Sequence, residues 1–313
     1  MTRALTNRLR GIFPPLPTPL TPGGNIDDEG LRRLIAHLVE GGVHGLWVLG
    51  SGGTYVAHTD DEKRRIVSTV VKEVGGAIPV LAGAGDCSTR KAIQGVELIA
   101  EAGADGAFVI PPFYFLHEQS ELLNYFEAIA EVAPIPLMLY NNPANTQNGL
   151  TIDSIEQLSH VERIVGIKDS TCDLSYFQSL LHRFGTNPLF RVFQGGEFLV
   201  ATSLLFGAHG AVFGLANVAP RLSVEIYEAA RAKEVDRLVS LQERLVSLLE
   251  IEDIHGKGND RSFLGGVQAA LELLGVCSRT LPKPFLSFTE AEVARVDSIL
   301  NKEGLLNLVR PQA

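Results

Sequence analysis

Eight short, nearly all-apolar runs punctuate the chain, at residues 11–16, 46–50, 80–83, 107–111, 137–140, 164–168, 192–195 and 211–215. Each is bounded by Gly or Pro, and none alternates polar with apolar positions. That is how parallel strands read when both of their faces are covered. The segments between them carry a helical period. Residues 28–40 place Leu31, Leu34, Ile35 and Leu38 on one face. Residues 60–74 open with acidic side chains, which suit the positive end of a helix. Residues 89–102 stop at Gly103, a residue suited to a helix C-cap. Strict alternation of eight strands with helices predicts a (β/α)8 TIM barrel, with an open doubly wound sheet as the second choice. Beyond about residue 233 the strand pattern disappears, and 234–251, 261–274 and 289–301 read as helices. The expected organisation is a barrel over 1–232 and a C-terminal helical extension over 233–313, packed on the barrel rather than folding apart from it.

The length of 313 residues suits one barrel of roughly 250 residues plus an extension, or two ordinary domains. Hydrophobic residues make up 45%, enough for a large core, and an evenly spread charged fraction of 20% argues against a disordered chain. A formal charge of −9 with no basic stripe argues against a nucleic-acid surface. Cys87, Cys172 and Cys277 are odd in number, far apart and outside any CxxC motif, so reduced thiols in a cytoplasmic protein are expected. No apolar run approaches the ~20 residues of a membrane span. Residues 1–10 are polar and basic and lead into Pro-rich sequence instead of an apolar signal core.

Barrel chemistry sits at the C-terminal ends of the strands. Of eight lysines, seven (Lys63, Lys72, Lys91, Lys233, Lys257, Lys283 and Lys302) fall on expected helices or loops. Lys168 alone closes an apolar strand, Ile164-Val165-Gly166-Ile167-Lys168. Alternation puts Gly166 and Lys168 on one side, and bulky Ile167 should face the helices, so Lys168 points into the barrel. A lysine carried there loses hydration, which favours its neutral amine. Such an amine can attack a ketone carbonyl and form an imine, an electron sink. The plainer alternative is a buried lysine paired with a carboxylate, although adjacent Asp169 should alternate away from it. Tyr140 ends the preceding strand, where its phenol could pass protons to and from a group on Lys168; packing is the alternative role. Gly50-Ser51-Gly52-Gly53-Thr54 follows the second strand and could offer backbone N–H groups and a hydroxyl to a carboxylate, or be an ordinary turn. Gly195-Gly196-Glu197 after the seventh strand could admit substrate close to the backbone. Gly83-Ala84-Gly85 is not followed by a dinucleotide fingerprint. His44, His58, His117, His160, His209 and His255 are scattered without metal-ligand spacing, so no cofactor and no metal are expected.

Together these residues resemble the dihydrodipicolinate synthase/N-acetylneuraminate lyase family, from Phe13 to about Leu286. The likeness is carried by Gly50-Ser51-Gly52-Gly53, Tyr140-Asn141-Asn142-Pro143 and Gly166-Ile167-Lys168-Asp169-Ser170, in matching order and spacing. It implies a class I aldolase or lyase acting on pyruvate or a related 2-oxo acid together with an aldehyde. It further implies a homo-oligomer, a dimer or a dimer of dimers. Lys168 would form the imine, Tyr140 would shuttle protons, and Ser51 would relay them. Tyr114 would be lent by a neighbouring subunit, and Gly195 and Val212 would touch the imine through their backbones. The pattern departs from the synthase at three places. Gly52 replaces a second hydroxyl residue, Thr54 replaces a glutamate, and Asn145 stands where an arginine would clamp the carboxylate of aspartate semialdehyde. Pro143-Ala144-Asn145-Thr146 resembles 4-hydroxy-2-oxoglutarate aldolase-type members. The expectation is therefore a lyase forming or cleaving a C–C bond next to pyruvate and not a true dihydrodipicolinate synthase. The alternatives are a 2-oxo sugar acid dehydratase using the same imine and a silent metabolite-binding barrel.

Overall fold

The structure, a computed structural model, describes residues 2–256 and 258–306. Lys257 and the last seven residues of the expected extension, 307–313, lie outside the described residues. The eight strands are β1 (Gly11–Ile12), β2 (Leu46–Val48), β3 (Val80–Gly83), β4 (Gly106–Val109), β5 (Leu137–Asn141), β6 (Ile164–Asp169), β7 (Arg191–Gln194) and β8 (Gly210–Ala211). From β2 to β8 each strand pairs in parallel with its sequence neighbours, and β1 pairs in parallel with β8. The remaining seam, between β1 and β2, is closed by a parallel bridge from Pro15 to Trp47. The sheet is a (β/α)8 TIM barrel, as the alternation predicts.

The first and last apolar runs overshoot their strands for a local reason. Pro14 and Pro15 have no N–H to give a ladder, so β1 stops at Ile12. The seam is carried instead by the N–H of Leu16 donating to the Trp47 carbonyl and the N–H of Trp47 donating to the Pro14 carbonyl. After β8 the run turns into a 3-10 segment, Gly214–Asn217. It is apolar because it is buried, which period alone cannot distinguish from a strand.

Helices over Asp28–Glu40 and Asp60–Val74 occur at the expected bounds. Asp27 caps the first by accepting from the Gly30 N–H, and Thr59 with Glu62 forms a capping box on the second. The helix Thr89–Glu101 ends before Gly103, whose φ of +95° is the conformation that favours glycine there. Between residue 233 and residue 306 there are helices at Val235–Leu248, Asp260–Leu273 and Glu290–Lys302 and, among the described residues, no strand.

The barrel interior and the helical layer form separate apolar clusters. Phe13, Trp47, Phe108, Met138, Tyr140, Phe193 and Val212 fill the interior, while Ile167 joins the outer layer. The opening residues form an additional helix, Thr2–Arg8. Its Leu5, together with Leu9, belongs to the interior cluster and packs where the barrel would otherwise lie open to water. Each buried leucine there contributes on the order of 1.5–3 kcal/mol. No helix among the described residues is long and apolar enough to cross a membrane, and all three cysteines are free thiols.

Candidate active site

The site begins with the register of two strands. Tyr140 on β5 is the direct partner of Lys168 on β6, and Asn141 is the partner of Asp169. Successive residues face opposite sides of a strand, so one pair points into the barrel and the other into the helical layer. The outer pair locks the register: Asn141 Nδ2 donates to Asp169 Oδ1 at 3.0 Å, and Thr171 Oγ1 donates to Asp169 Oδ2 at 2.8 Å. Burial pushes the Asp169 carboxyl up to about 6 even with those bonds in place. A shift in register between Leu137 and Met138 leaves Val165 without a Cα partner on β5, and Val165 joins the interior cluster although it precedes Gly166.

The inner pair, Tyr140 and Lys168, belongs to the barrel interior. Lys168 is 5% exposed, and its Nζ lies 4.2 Å from the centre of the Tyr140 ring and 5.4 Å from that of Trp47. An ammonium over aromatic faces is held in place by their electron-rich centres. The Tyr140 hydroxyl hydrogen-bonds with Ser51, Lys168 and Ser170 and accepts from Asn142 Nδ2 at 3.0 Å. Burial alone would raise the phenol. The charge of Lys168 and these hydrogen bonds outweigh burial and bring Tyr140 below the usual phenol value. The arrangement is a nucleophilic nitrogen beside a hydroxyl whose proton is loosened and already connected to a second hydroxyl.

Lys168 and Tyr140 open onto a cavity of about 840 Å3 at the C-terminal end of the strands. Ser51, Gly52, Gly195, Val212 and Asn145 line the same cavity. In the loop after β2, the N–H groups of Gly53 and Thr54 are used within the turn, donating to the carbonyls of Gly50 and Ser51. A carboxylate held there would draw on the N–H groups of Ser51 and Gly52. Val212 is fixed by its N–H donating to the Gln194 carbonyl at 2.8 Å. Asn145 is exposed at the cavity rim, in the short helix Pro143–Thr146.

Gly195 is required by contact. A Cβ at that position would stand 3.0 Å from Lys168 Cε, 2.1 Å from Ser170 Oγ and 2.7 Å from the Asp169 carbonyl oxygen. Gly195→Ala should therefore displace the lysine and lower turnover by at least about tenfold, with a stability loss of about 1–3 kcal/mol. Steady-state kinetics and a thermal melt of the variant check both effects, and wild-type kcat in a folded variant would contradict the contact argument.

Seven of the eight residues expected in the site meet in this cavity; Tyr114 does not. It is 77% exposed, has a φ of +84°, and meets Phe115 edge to face at 4.9 Å. The structure also brings in residues to which the sequence reading gave no role. Asn142 and Ser170 stand two positions after Tyr140 and Lys168, so period-2 alternation could have found them. Glu197 had been quoted only as the end of a glycine turn. Glu252 and Phe263 come from beyond residue 233, where no strand end marks them as near the chemistry. Among the described residues, no group of three His, Cys, Asp or Glu side chains is placed to hold a metal ion.

A closed barrel with a lysine and a tyrosine paired at adjacent strand ends is the frame of a barrel lyase. The chain belongs to the dihydrodipicolinate synthetase family, whose model matches residues 8–303, and like the members of that family it is a lyase of the class I aldolase type. It is 34% identical over 301 residues to the 4-hydroxy-tetrahydrodipicolinate synthase of Jannaschia sp., covering 95% of this chain and 99% of that one. Two solved structures superpose with a TM-score of 0.89. The dihydrodipicolinate synthase of Bacteroides thetaiotaomicron is 35% identical, with 94% of this chain and 98% of that one covered. YagE, a prophage protein of the same family from Escherichia coli K12 solved in complex with pyruvate, is 31% identical, with 95% and 99% covered.

Proposed function

We propose that the protein is a Schiff-base aldolase that forms or cleaves a C–C bond next to pyruvate or a related 2-oxo acid. The observation that carries this reading is the Lys168 amine seated on the face of Tyr140, whose hydroxyl is bonded to Ser51. The pyruvate complex of YagE supports a 2-oxo acid as the donor. Lys168 adds to the ketone carbonyl at C2. Tyr140 gives a proton to the resulting hydroxyl, which leaves as water, and an imine remains. In the cleavage direction the hydroxyl on C4 gives its proton to Tyr140, the C3–C4 bond breaks, and its electron pair moves into the protonated imine. Aldehyde leaves; the enamine takes a proton at C3, and water returns the lysine. Ser51 relays the proton at Tyr140, the N–H groups of Ser51 and Gly52 hold the carboxylate, and the backbones of Gly195 and Val212 flank the imine. The cytoplasm supplies both substrates in this reading.

Tyr114 lies outside the cavity of its own chain, and Phe115 and Leu116 beside it are 66% and 73% exposed. A neighbouring copy covering this patch would take Tyr114 into its own site, as a member of a homodimer or homotetramer. Sedimentation at assay concentration checks this: a dimer or larger is expected, and a fully active monomer would contradict it.

The acceptor is not aspartate semialdehyde. Asn145 cannot supply the charged planar fork that an arginine offers a carboxylate, and among the described residues lining the cavity no arginine takes its place. With pyruvate as donor, kcat/KM for aspartate semialdehyde should stay well below the value of about 10⁴ M⁻¹s⁻¹ common for natural substrates, and hydroxylated aldehydes should exceed it. Efficient turnover of the semialdehyde would overturn this assignment and point to Lys283, a cation on the cavity lining. The same assay, read for C–C cleavage against loss of water, separates aldolase from dehydratase.

A further inference from the structure

Two acidic side chains from distant parts of the chain meet in the cavity wall. Glu197 opens the turn after β7, and Glu252 closes the 3-10 segment Leu249–Glu252 beyond the barrel. Both line the cavity that holds Lys168. Gly214 is where they converge. Its N–H donates to Glu197 Oε1 at 2.8 Å, and a Cβ added to it would lie 2.7 Å from Glu252 Oε1. The same Cβ would lie 2.4 Å from Phe263 Cε2, so glycine keeps this corner open for the Glu252 carboxyl and the Phe263 ring. Glu252 Oε1 is sealed from solvent and has no hydrogen-bond partner among the described residues. The proton shuttle uses neither residue.

A buried oxygen without a partner is costly, and such atoms in native proteins call for an explanation. Glu252 as a whole is half-buried and lines the cavity, so a ligand hydroxyl can reach its carboxyl group there. The character of that group follows from the pair. Burial, then repulsion from Glu197, raises the Glu252 carboxyl well above the usual carboxylate range. Burial also raises Glu197, and the Gly214 N–H and the charge of Lys168 offset only part of that rise. Two acids this close do not both ionise. The wall therefore presents one O–H donor among several oxygen acceptors. Alcohols match it, since each hydroxyl both gives and accepts a hydrogen bond. A carboxylate set against this wall meets two acids.

We propose that Glu252, seated against Glu197, selects the acceptor half of the substrate and takes an uncharged aldehyde bearing hydroxyl groups. This assignment rests on the aldolase reading and adds a specificity-determining residue to it.

The test compares three acceptors with pyruvate as donor: D-glyceraldehyde, propanal of the same carbon count without hydroxyls, and anionic succinic semialdehyde. In the wild type, kcat/KM for glyceraldehyde should exceed that for either of the others by about tenfold or more, the scale of one lost hydrogen bond to a buried polar group. In Glu252→Leu the glyceraldehyde-to-propanal ratio should fall by about tenfold or more. A general packing defect would slow both aldehydes together and leave the ratio unmoved. Glu252→Gln preserves shape and one donor and should keep most of the preference. A wild-type enzyme indifferent to the hydroxyls overturns the proposal without any variant, and so does an unchanged ratio in folded Glu252→Leu. Borohydride trapping of pyruvate on the wild type separates the two levels of failure. No adduct means the aldolase reading itself is wrong; an adduct without discrimination removes only the role of Glu252.

Discussion

Lys168→Ala should reduce turnover of every 2-oxo acid substrate to background, a loss on the order of 10⁴-fold or more, as for other enzymes deprived of their nucleophile. The substitution removes the amine placed against Tyr140 in the cavity, so the imine route closes. The fold should survive. Among the described residues Lys168 makes no ion pair; its nitrogen rests on the Tyr140 and Trp47 rings, and those rings are fixed by their own packing. Trp47 stacks on Phe108 at 3.7 Å, and Tyr140 meets both edge to face at 5.9 and 6.0 Å. Circular dichroism should match the wild type while the rate vanishes. A folded Lys168→Ala variant retaining more than about 1% of kcat would rule out an obligatory covalent intermediate, since nucleophile removal costs far more than that.

Tyr140→Phe should lower kcat by about 10²–10⁴-fold, the range for loss of a positioned acid–base group. The ring and its edge-to-face contacts with Trp47 and Phe108 remain, so the effect isolates one hydroxyl. That hydroxyl is the point where Ser51, Lys168, Ser170 and Asn142 converge. Its removal leaves Asn142 Nδ2 and the Ser51 hydroxyl to find water, at a cost in stability of about 1–2 kcal/mol. KM for pyruvate should change much less than kcat, because the phenol handles protons and does not hold the carboxylate. Retention of more than half the wild-type kcat, measured under saturating substrate, would show that another group moves the protons.

The barrel and the inward placement of Lys168 were legible because each rests on short-range pattern. Eight apolar runs alternating with helical periods leave few topologies open. A lysine ending such a run has one direction to point, as Ile167 in the outer layer and Lys168 within the barrel demonstrate. What escaped the sequence depends on long-range closure. The helix Thr2–Arg8 is short and polar, and its worth lies in Leu5, which finds its place only once the barrel exists. The boundaries of β1 and β8 were misplaced because buried 3-10 and Pro-rich segments are as apolar as strands. The bulge beside Val165 leaves no mark in composition. Glu252 lies 84 positions from Lys168, and no local period could bring the two to one cavity. Ser170 and Asn142 were within reach of the same alternation that located Lys168 and Tyr140.

The central claim is that Lys168 and no other lysine attacks the 2-oxo acid. Its direct test is to incubate the wild-type protein with pyruvate, reduce with borohydride, digest, and locate the mass addition by tandem mass spectrometry. The account predicts one reduced pyruvyl adduct, on Lys168, absent when borohydride is added without pyruvate. An adduct on a different lysine, or none with any 2-oxo acid tried, would contradict it.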